Sequence, residues 1–275
     1  MTSGGLLGTK RRLKPWGRRD LPASFASTCD DAVGEIWFDT PEPLKDILTK
    51  YLFTDEQLSV QVHPQTEHCP LGTGKDECWL VSEAAPGAKL AIGFREEVER
   101  GAIRAAALDG SIEEMLSWRE VEVNDFLYIP SGTVHAIGPG LTLVEVQQNT
   151  DVTFRLYHYG RPRELHLDEA MRSIRPGPHP AELCRKVDPK LSQVLVEGPH
   201  YSVVYLAGAP DGTLASYKGV VQCIPLAGRC TIEGEVIGAG QSGWASQLGA
   251  VDFTASKRCL LVFNPPRPTN QPVLP

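Results

Sequence analysis

The stretch Asp125-Phe126-Leu127-Tyr128-Ile129-Pro130-Ser131-Gly132-Thr133-Val134-His135 decides how this chain is read. Its first half is rich in aromatic and branched side chains, the pattern of a strand, and it stops at a proline that cannot donate to a ladder. Gly132 then allows a tight turn, which delivers His135 at the start of the next strand. That turn aims the imidazole back toward whatever the earlier strands enclose.

Two earlier segments supply company for it. In Leu58-Ser59-Val60-Gln61-Val62-His63-Pro64, alternate side chains share a face, so Gln61 and His63 point together and Val60 and Val62 point away. In Gly74-Lys75-Asp76-Glu77-Cys78-Trp79 a turn enters a strand that puts Glu77 and Trp79 on one face and Cys78 on the other. Taken singly, a strand histidine is more often structural than ligating, and a carboxylate beside a turn is usually a surface group. Together, two imidazoles, a carboxylate and an amide suit a borderline divalent ion, Zn²⁺ first, with manganese, iron and cobalt fitting the same donors. Calcium or magnesium would want more oxygens.

Around these segments short β-type runs recur between Gly, Pro, Asn and Asp. Lys89 to Gly93, Glu120 to Val123, Thr142 to Gln147 and Thr153 to Tyr159 read as strands in the first part, and Ser202 to Ala207, Gly219 to Pro225, Cys230 to Glu233 and Cys259 to Phe263 in the second. Pro43 to Leu52 has a helical spacing through Leu44, Ile47, Leu48 and Leu52. Arg95 to Trp118 reads as a helical insertion, about residues 95–118, split by Asp109-Gly110. Three prolines and a glycine between Arg175 and Pro180 cannot continue a ladder or a helix, so a boundary is expected there. The expected organisation is a catalytic domain over 1–176 and a smaller β domain over 177–275. The second lacks histidine between Tyr201 and Pro265 and is expected to serve packing. The proline-rich end, Pro265 to Pro275, should be extended.

The net charge of −7 argues against nucleic acid as a partner, and no apolar run is long enough for a membrane helix. The basic cluster Lys10 to Arg19 reads as a solvated tail. Pro22, Ser24, Ser27 and Thr28 interrupt any signal-like core, which places the chain in the cytoplasm. Seven cysteines without a C-x-x-C pair indicate neither a thiolate zinc site nor a disulfide framework. Neither Cys69 nor Cys78 has a neighbouring base to make it a nucleophile.

The Pro130 to His135 segment matches the second motif of the cupin superfamily, and the ordered set resembles class I mannose-6-phosphate isomerases. The resemblance rests on Leu58 to Pro64, Gly74-Lys75 with Glu77-Cys78-Trp79, and Tyr128 through Gly138. Lys14-Pro15-Trp16-Gly17, Gly34-Glu35-Ile36-Trp37, Glu145 through Gln148, Asp151 and Arg155-Leu156-Tyr157 support it. It implies a mainly β fold of two cupin (jelly-roll) β-barrels in tandem with a small helical insertion. It also implies interconversion of mannose 6-phosphate and fructose 6-phosphate, with one Zn²⁺ per chain on Gln61, His63, Glu77 and His135. Arg155 and Lys75 fall on active-site positions. Trp16, Glu35 and Glu145 match pocket positions, and Arg161 is a candidate for the phosphate, each with a bland alternative as core, buried acceptor or solvated cation. The implied partner is a small sugar phosphate, on a monomer or homodimer. Gln65-Thr66 after His63-Pro64, and His158 in place of a common Asp, depart from the family and bear on which sugar phosphate is used. The length resembles the compact bacterial form.

Moving a carbonyl between C1 and C2 requires a base near neutral pKa and a cation beside the developing enediolate. Lys75, Glu145 and His166 compete for the base, and the metal or Arg155 for the cation. A cupin that binds sugar phosphate without turnover, and an iron oxygenase on the same donors, are the rival readings.

Overall fold

A computed structural model describes residues 4–25, 31–215 and 219–265, so Cys29 and the end of the chain beyond Pro265, where an extended tail was expected, lie outside the described residues. The architecture is mainly β, built from three antiparallel sheets. A helix-side sheet orders its strands as Phe154–Tyr157, Val60–Val62, His135–Ile137, Lys89–Phe94 and Leu116–Glu120. The central sheet runs Cys184–Lys186, Asp125–Ile129, Glu77–Ala84, Leu141–Gln148, Ile47–Thr54, Val33–Phe38 and Thr9–Arg18. The C-terminal sheet is built on Val221–Ile232, Ser256–Phe263, Ser202–Ala207 and Gln193–Glu197.

Strand alternation explains the stacking. Trp79, Leu127, Ile129 and Leu143 on one face of the central sheet pack with Leu90, Ile92 and Ile137 of the helix-side sheet. From its other face Tyr51, Phe53, Cys78, Leu80 and Val144 form one core with Leu195, Val203, Tyr205 and Leu260 of the C-terminal sheet. The helix-side sheet buries its outer face, including Val60 and Val62, under Ile103, Ala106 and Ala107 of the helix Arg100–Asp109 and Ala170 of Leu167–Ser173. The expected jelly-roll units are thus facing sheets, and among the described residues hydrogen bonding closes none of them into a barrel. Strands also cross the expected division at 176: Gly4–Leu6 pairs with Gly243–Ala245, and Cys184–Lys186 pairs with Asp125–Ile129. Among the described residues no helix is long and apolar enough to cross a membrane.

Several expectations are corrected. Pro43 to Leu52 is not a helix: a single 3-10 turn, Glu42–Leu44, precedes the strand Ile47–Thr54, which is paired on both sides. Every residue of that strand is buried, so its apolar run does not alternate, and Leu44, Ile47, Leu48 and Leu52 fell by chance on a helical stripe. Lys10 to Arg19 is no loose tail, because Thr9–Arg18 is an edge strand on Val33–Phe38. Its cations face solvent or pair locally, as Lys10 does with Asp39 at 2.7 Å, an arrangement that guards an open edge. Glu120 to Val123 is mostly a turn after the strand Leu116–Glu120, with Asn124 at φ 73°. The helical insertion therefore stops at Met115. Gly219 to Pro225 and Cys230 to Glu233 are parts of one strand, Val221–Ile232, which bends at bulges around Ala227 where Gly228 has φ 76°.

Candidate functional site

The register places the chemistry. On the helix-side sheet Arg155 lies opposite Gln61, and Gln61 opposite His135. On the facing side of the central sheet a row runs Lys10, Trp37, Lys50, Glu145, Trp79, with Gln147 opposite Glu77 in the neighbouring row. A cavity of about 200 Å³ opens between these rows. Gln61, Lys75, Glu77, Glu145 and Arg155 line it, and Trp16 and Glu35 add to its wall. The turn before His135 is fixed by Gly132, at φ 89°, whose N–H donates to the His63 carbonyl at 2.7 Å. A Cβ there would meet the Ser173 carbonyl oxygen at 2.7 Å.

His63, Glu77 and His135 are almost fully buried, and their ligand atoms lie within 4.8 Å of one another, the one such group among the described residues. His63 Nδ1 faces the Val152 carbonyl at 2.9 Å and His135 Nδ1 the Thr133 carbonyl at 3.0 Å. A carbonyl only accepts, so each Nδ1 carries the hydrogen and each Nε2 turns a lone pair toward the site. Burial, foremost, pushes the His135 pKa down to about 3, and burial followed by the Lys75 charge lowers that of His63, so both rings stay neutral. Burial would raise Glu77, but Lys75, His63 and His135 outweigh it and hold the carboxyl well below its usual range. Glu77 Oε1 is buried without a hydrogen bond.

These donors suit a cation on two counts. Two fixed lone pairs converge with an orphaned carboxylate oxygen, and a positive group already sits among them: Lys75 Nζ donates to His63 Nε2 at 2.9 Å and Glu77 Oε2 at 2.7 Å. Gln61 turns its amide nitrogen to His135 Nε2 at 3.1 Å, so ligation through its oxygen requires the amide to flip.

From this cluster a chain of alternating charges leads outward. Glu77 pairs with Lys75, whose Nζ is 3.6 Å from Glu145 Oε1. Glu145 Oε1 is 3.2 Å from Lys50 Nζ, which donates to Glu35 Oε1 at 3.1 Å, and Lys14 closes the chain at 3.3 Å from Glu35. Burial would raise Glu35, but Lys50 and Lys14 hold it down to about 2. Glu145 is pushed up to about 7 by burial, against the pull of Lys50. The sequence reading missed Lys50 because it assigned that stretch to a helix. A lysine in phase with Leu48 and Leu52 on an inward strand face was the available signal.

A second pole is cationic. Arg155 is 9% exposed, donates to the Glu164 carbonyl at 2.6 Å and leaves its Nε without a partner. Arg163 joins it on the cavity wall. Arg161 does not: it donates to the carbonyls of Gln57 and His158 and stacks over Tyr159. His166 also stays off the wall, its Nδ1 accepting from the Arg155 N–H at 3.2 Å. Cys78 faces the far core, and burial raises its thiol.

No family model matches the chain. The chain is similar to the mannose-6-phosphate isomerase ManA of Bacillus subtilis, 36% identical over 171 residues covering 57% of this chain and 54% of that protein. It spans about half the length of the curated relatives it matches. A crystal structure of the mannose 6-phosphate isomerase from Bacillus subtilis aligns with TM-score 0.76 at 24% identity, covering 95% of this chain and 99% of that one. A mannose 6-phosphate isomerase bound with zinc and yttrium aligns with TM-score 0.69 at 14% identity, over 96% of this chain and 100% of that one. The two structural likenesses speak to the fold, and the sequence relatives agree with the resemblance carried by the motif order.

Proposed function

We propose that the chain is a metal-dependent aldose-ketose isomerase that interconverts mannose 6-phosphate and fructose 6-phosphate by proton transfer through an enediolate. The observation that carries this reading is the meeting, in one cavity, of inward-facing imidazole lone pairs and Glu77 with Lys75, Glu145 and Arg155. The relatives it resembles in sequence bear the same activity in their names.

Residues His63, Glu77, His135 and Gln61 would hold one Zn²⁺ per chain. A divalent ion there supplies positive charge beside the developing enediolate oxygen, worth several kcal/mol of barrier. Arg155 and Arg163 meet the phosphate dianion, and the unpaired Nε of Arg155 suits it. Glu145 carries the proton from C2 to C1, since its pKa of about 7 lies near neutrality and its Oε1 is buried with no hydrogen bond to break. The Lys75 ammonium, next to Glu145, offsets charge as the enediolate forms. Trp16 and Glu35 shape the wall, Arg161 braces the cationic loop, and the C-terminal sheet supports the central sheet from behind. The enzyme acts in the cytoplasm, in carbohydrate metabolism, as a monomer or homodimer.

The test is turnover in D₂O. Mannose 6-phosphate should yield fructose 6-phosphate carrying deuterium at C1, followed by NMR, and Glu145→Gln should cut both conversion and exchange by about a thousandfold, to a residual rate that is still measurable. Sugar phosphate that binds and stays unexchanged in the metal-loaded protein favours a binding module instead.

A further inference from the structure

Lys50 is a lysine in the middle of a strand buried on both faces, 3% exposed. Burying an ammonium is costly unless it is paired and bonded. It is the central residue of the charged row, flanked by Trp37 on one strand and Glu145 on the other. Its bonds are unequal. It donates a hydrogen bond to Glu35 Oε1 at 3.1 Å, whereas Glu145 Oε1, 3.2 Å away, receives charge without a hydrogen bond. Its Nζ also lies 5.4 Å from the centre of the Trp37 ring. Glu35 is itself fixed by Lys14 at 3.3 Å and by Trp37 Nε1 at 3.3 Å. The ammonium is therefore anchored from behind and offers its field to the front.

Building on the isomerase reading, we propose that Lys50 is the positioning residue of the site. Anchored by Glu35, it holds the Glu145 carboxylate ionised at the cavity wall while leaving Oε1 free to take a proton from substrate. Charged groups reach Glu145 from three sides: Lys50 from Ile47–Thr54, Lys75 and Glu77 from the loop and strand around residue 76, and Glu35 from Val33–Phe38. Lys75 is 3.6 Å away and already bonded to Glu77 and His63, so it cannot replace Lys50. A hydrogen bond from Lys50 to Oε1 would make the carboxylate a poorer base. The charge at this distance also lowers the proton affinity of Glu145, but only from the value burial alone would set back toward neutrality, and it leaves the Oε1 lone pair unoccupied.

The test compares Lys50→Met and Lys50→Arg holoenzymes with the wild type, with zinc content and melting temperature recorded for each. Lys50→Met should keep its zinc, lower kcat at pH 7 about tenfold or more with KM little changed, and move the acid limb of the kcat profile upward by about one unit. Lys50→Arg should restore much of the rate. In a Glu145→Gln background, Lys50→Met should cost no more than about threefold further, because both act through one carboxylate. Full activity in a folded Lys50→Met, or additive losses in the double variant, would overturn the inference. A wild-type holoenzyme without turnover defeats the isomerase reading instead. In that case the ¹³C NMR titration of the Glu145 carboxyl decides: a midpoint higher in Lys50→Met than in wild type or Lys50→Arg supports the role of Lys50, and an unmoved midpoint ends it.

Discussion

Replacing Glu77 by Gln keeps the shape of the side chain and removes one charge, so its effect on the metal-free protein isolates the buried ion pair. Lys75 Nζ lies 2.7 Å from Glu77 Oε2, and both side chains are nearly inaccessible to solvent. At an effective dielectric of 20, two unit charges at that separation attract by roughly 6 kcal/mol before desolvation is counted. Removing one partner strands the other, and measured costs of such changes run about 3–5 kcal/mol. In Glu77→Gln the ammonium keeps only Glu145, at 3.6 Å, and the neutral His63. At roughly 2–4 °C per kcal/mol for a chain of this size, melting should fall by about 6–20 °C. The core shared by the central and C-terminal sheets makes a single transition the expectation. Calorimetry in the presence of a chelator measures it. The control is Lys75→Met combined with Glu77→Gln, which removes both charges and should recover most of the loss. A single variant that melts within about 2 °C of the wild type, or a double variant with no recovery, would refute the reasoning that this pair is buried and mutually dependent.

Gly132→Ala forces a side chain onto φ 89° and its methyl against the Ser173 carbonyl, costing about 1–3 kcal/mol. Because the same turn orients His135, zinc affinity should also drop, on the order of tenfold, in a competition titration. The pKa of His158 is pushed down to about 4 by burial and then by Arg161, Arg155 and Arg163. The folded state thus favours the neutral ring, so this contribution to stability is full above about pH 6.5 and is lost as pH falls toward 4. Imidazole ¹⁵N shifts should show the low midpoint, and bound sugar phosphate should raise it. Leu260→Ala, in the core joining the central and C-terminal sheets, should cost about 2–5 kcal/mol in urea unfolding without altering zinc content.

Much of the site was legible because strand periodicity is local. The phase of Gln61 with His63, and of Glu77 with Trp79, follows from alternation alone, and the proline-glycine turn announced His135. Lys50 was harder to read: its phase with Leu48 and Leu52 was the one local signal, its partners Glu35 and Glu145 come from strands on either side, and a strand buried on both faces does not set that phase apart. The edge strand Thr9–Arg18 was hidden by its charge, since Lys10, Arg11 and Arg12 stay in solvent while the backbone pairs on one side only. Arg161 and Arg163 show what spacing cannot decide. Two residues apart in a loop, one is consumed by carbonyls and the other joins the cavity wall.

The most direct measurement is the rate of fructose 6-phosphate formation from mannose 6-phosphate by purified protein before chelation, after chelation and after zinc is restored. The rate should vanish with the chelator and return with about one equivalent of Zn²⁺ per chain, and neither should occur in a folded His135→Ala variant. Turnover that survives complete metal removal, or its absence from the fully loaded protein, would contradict the account.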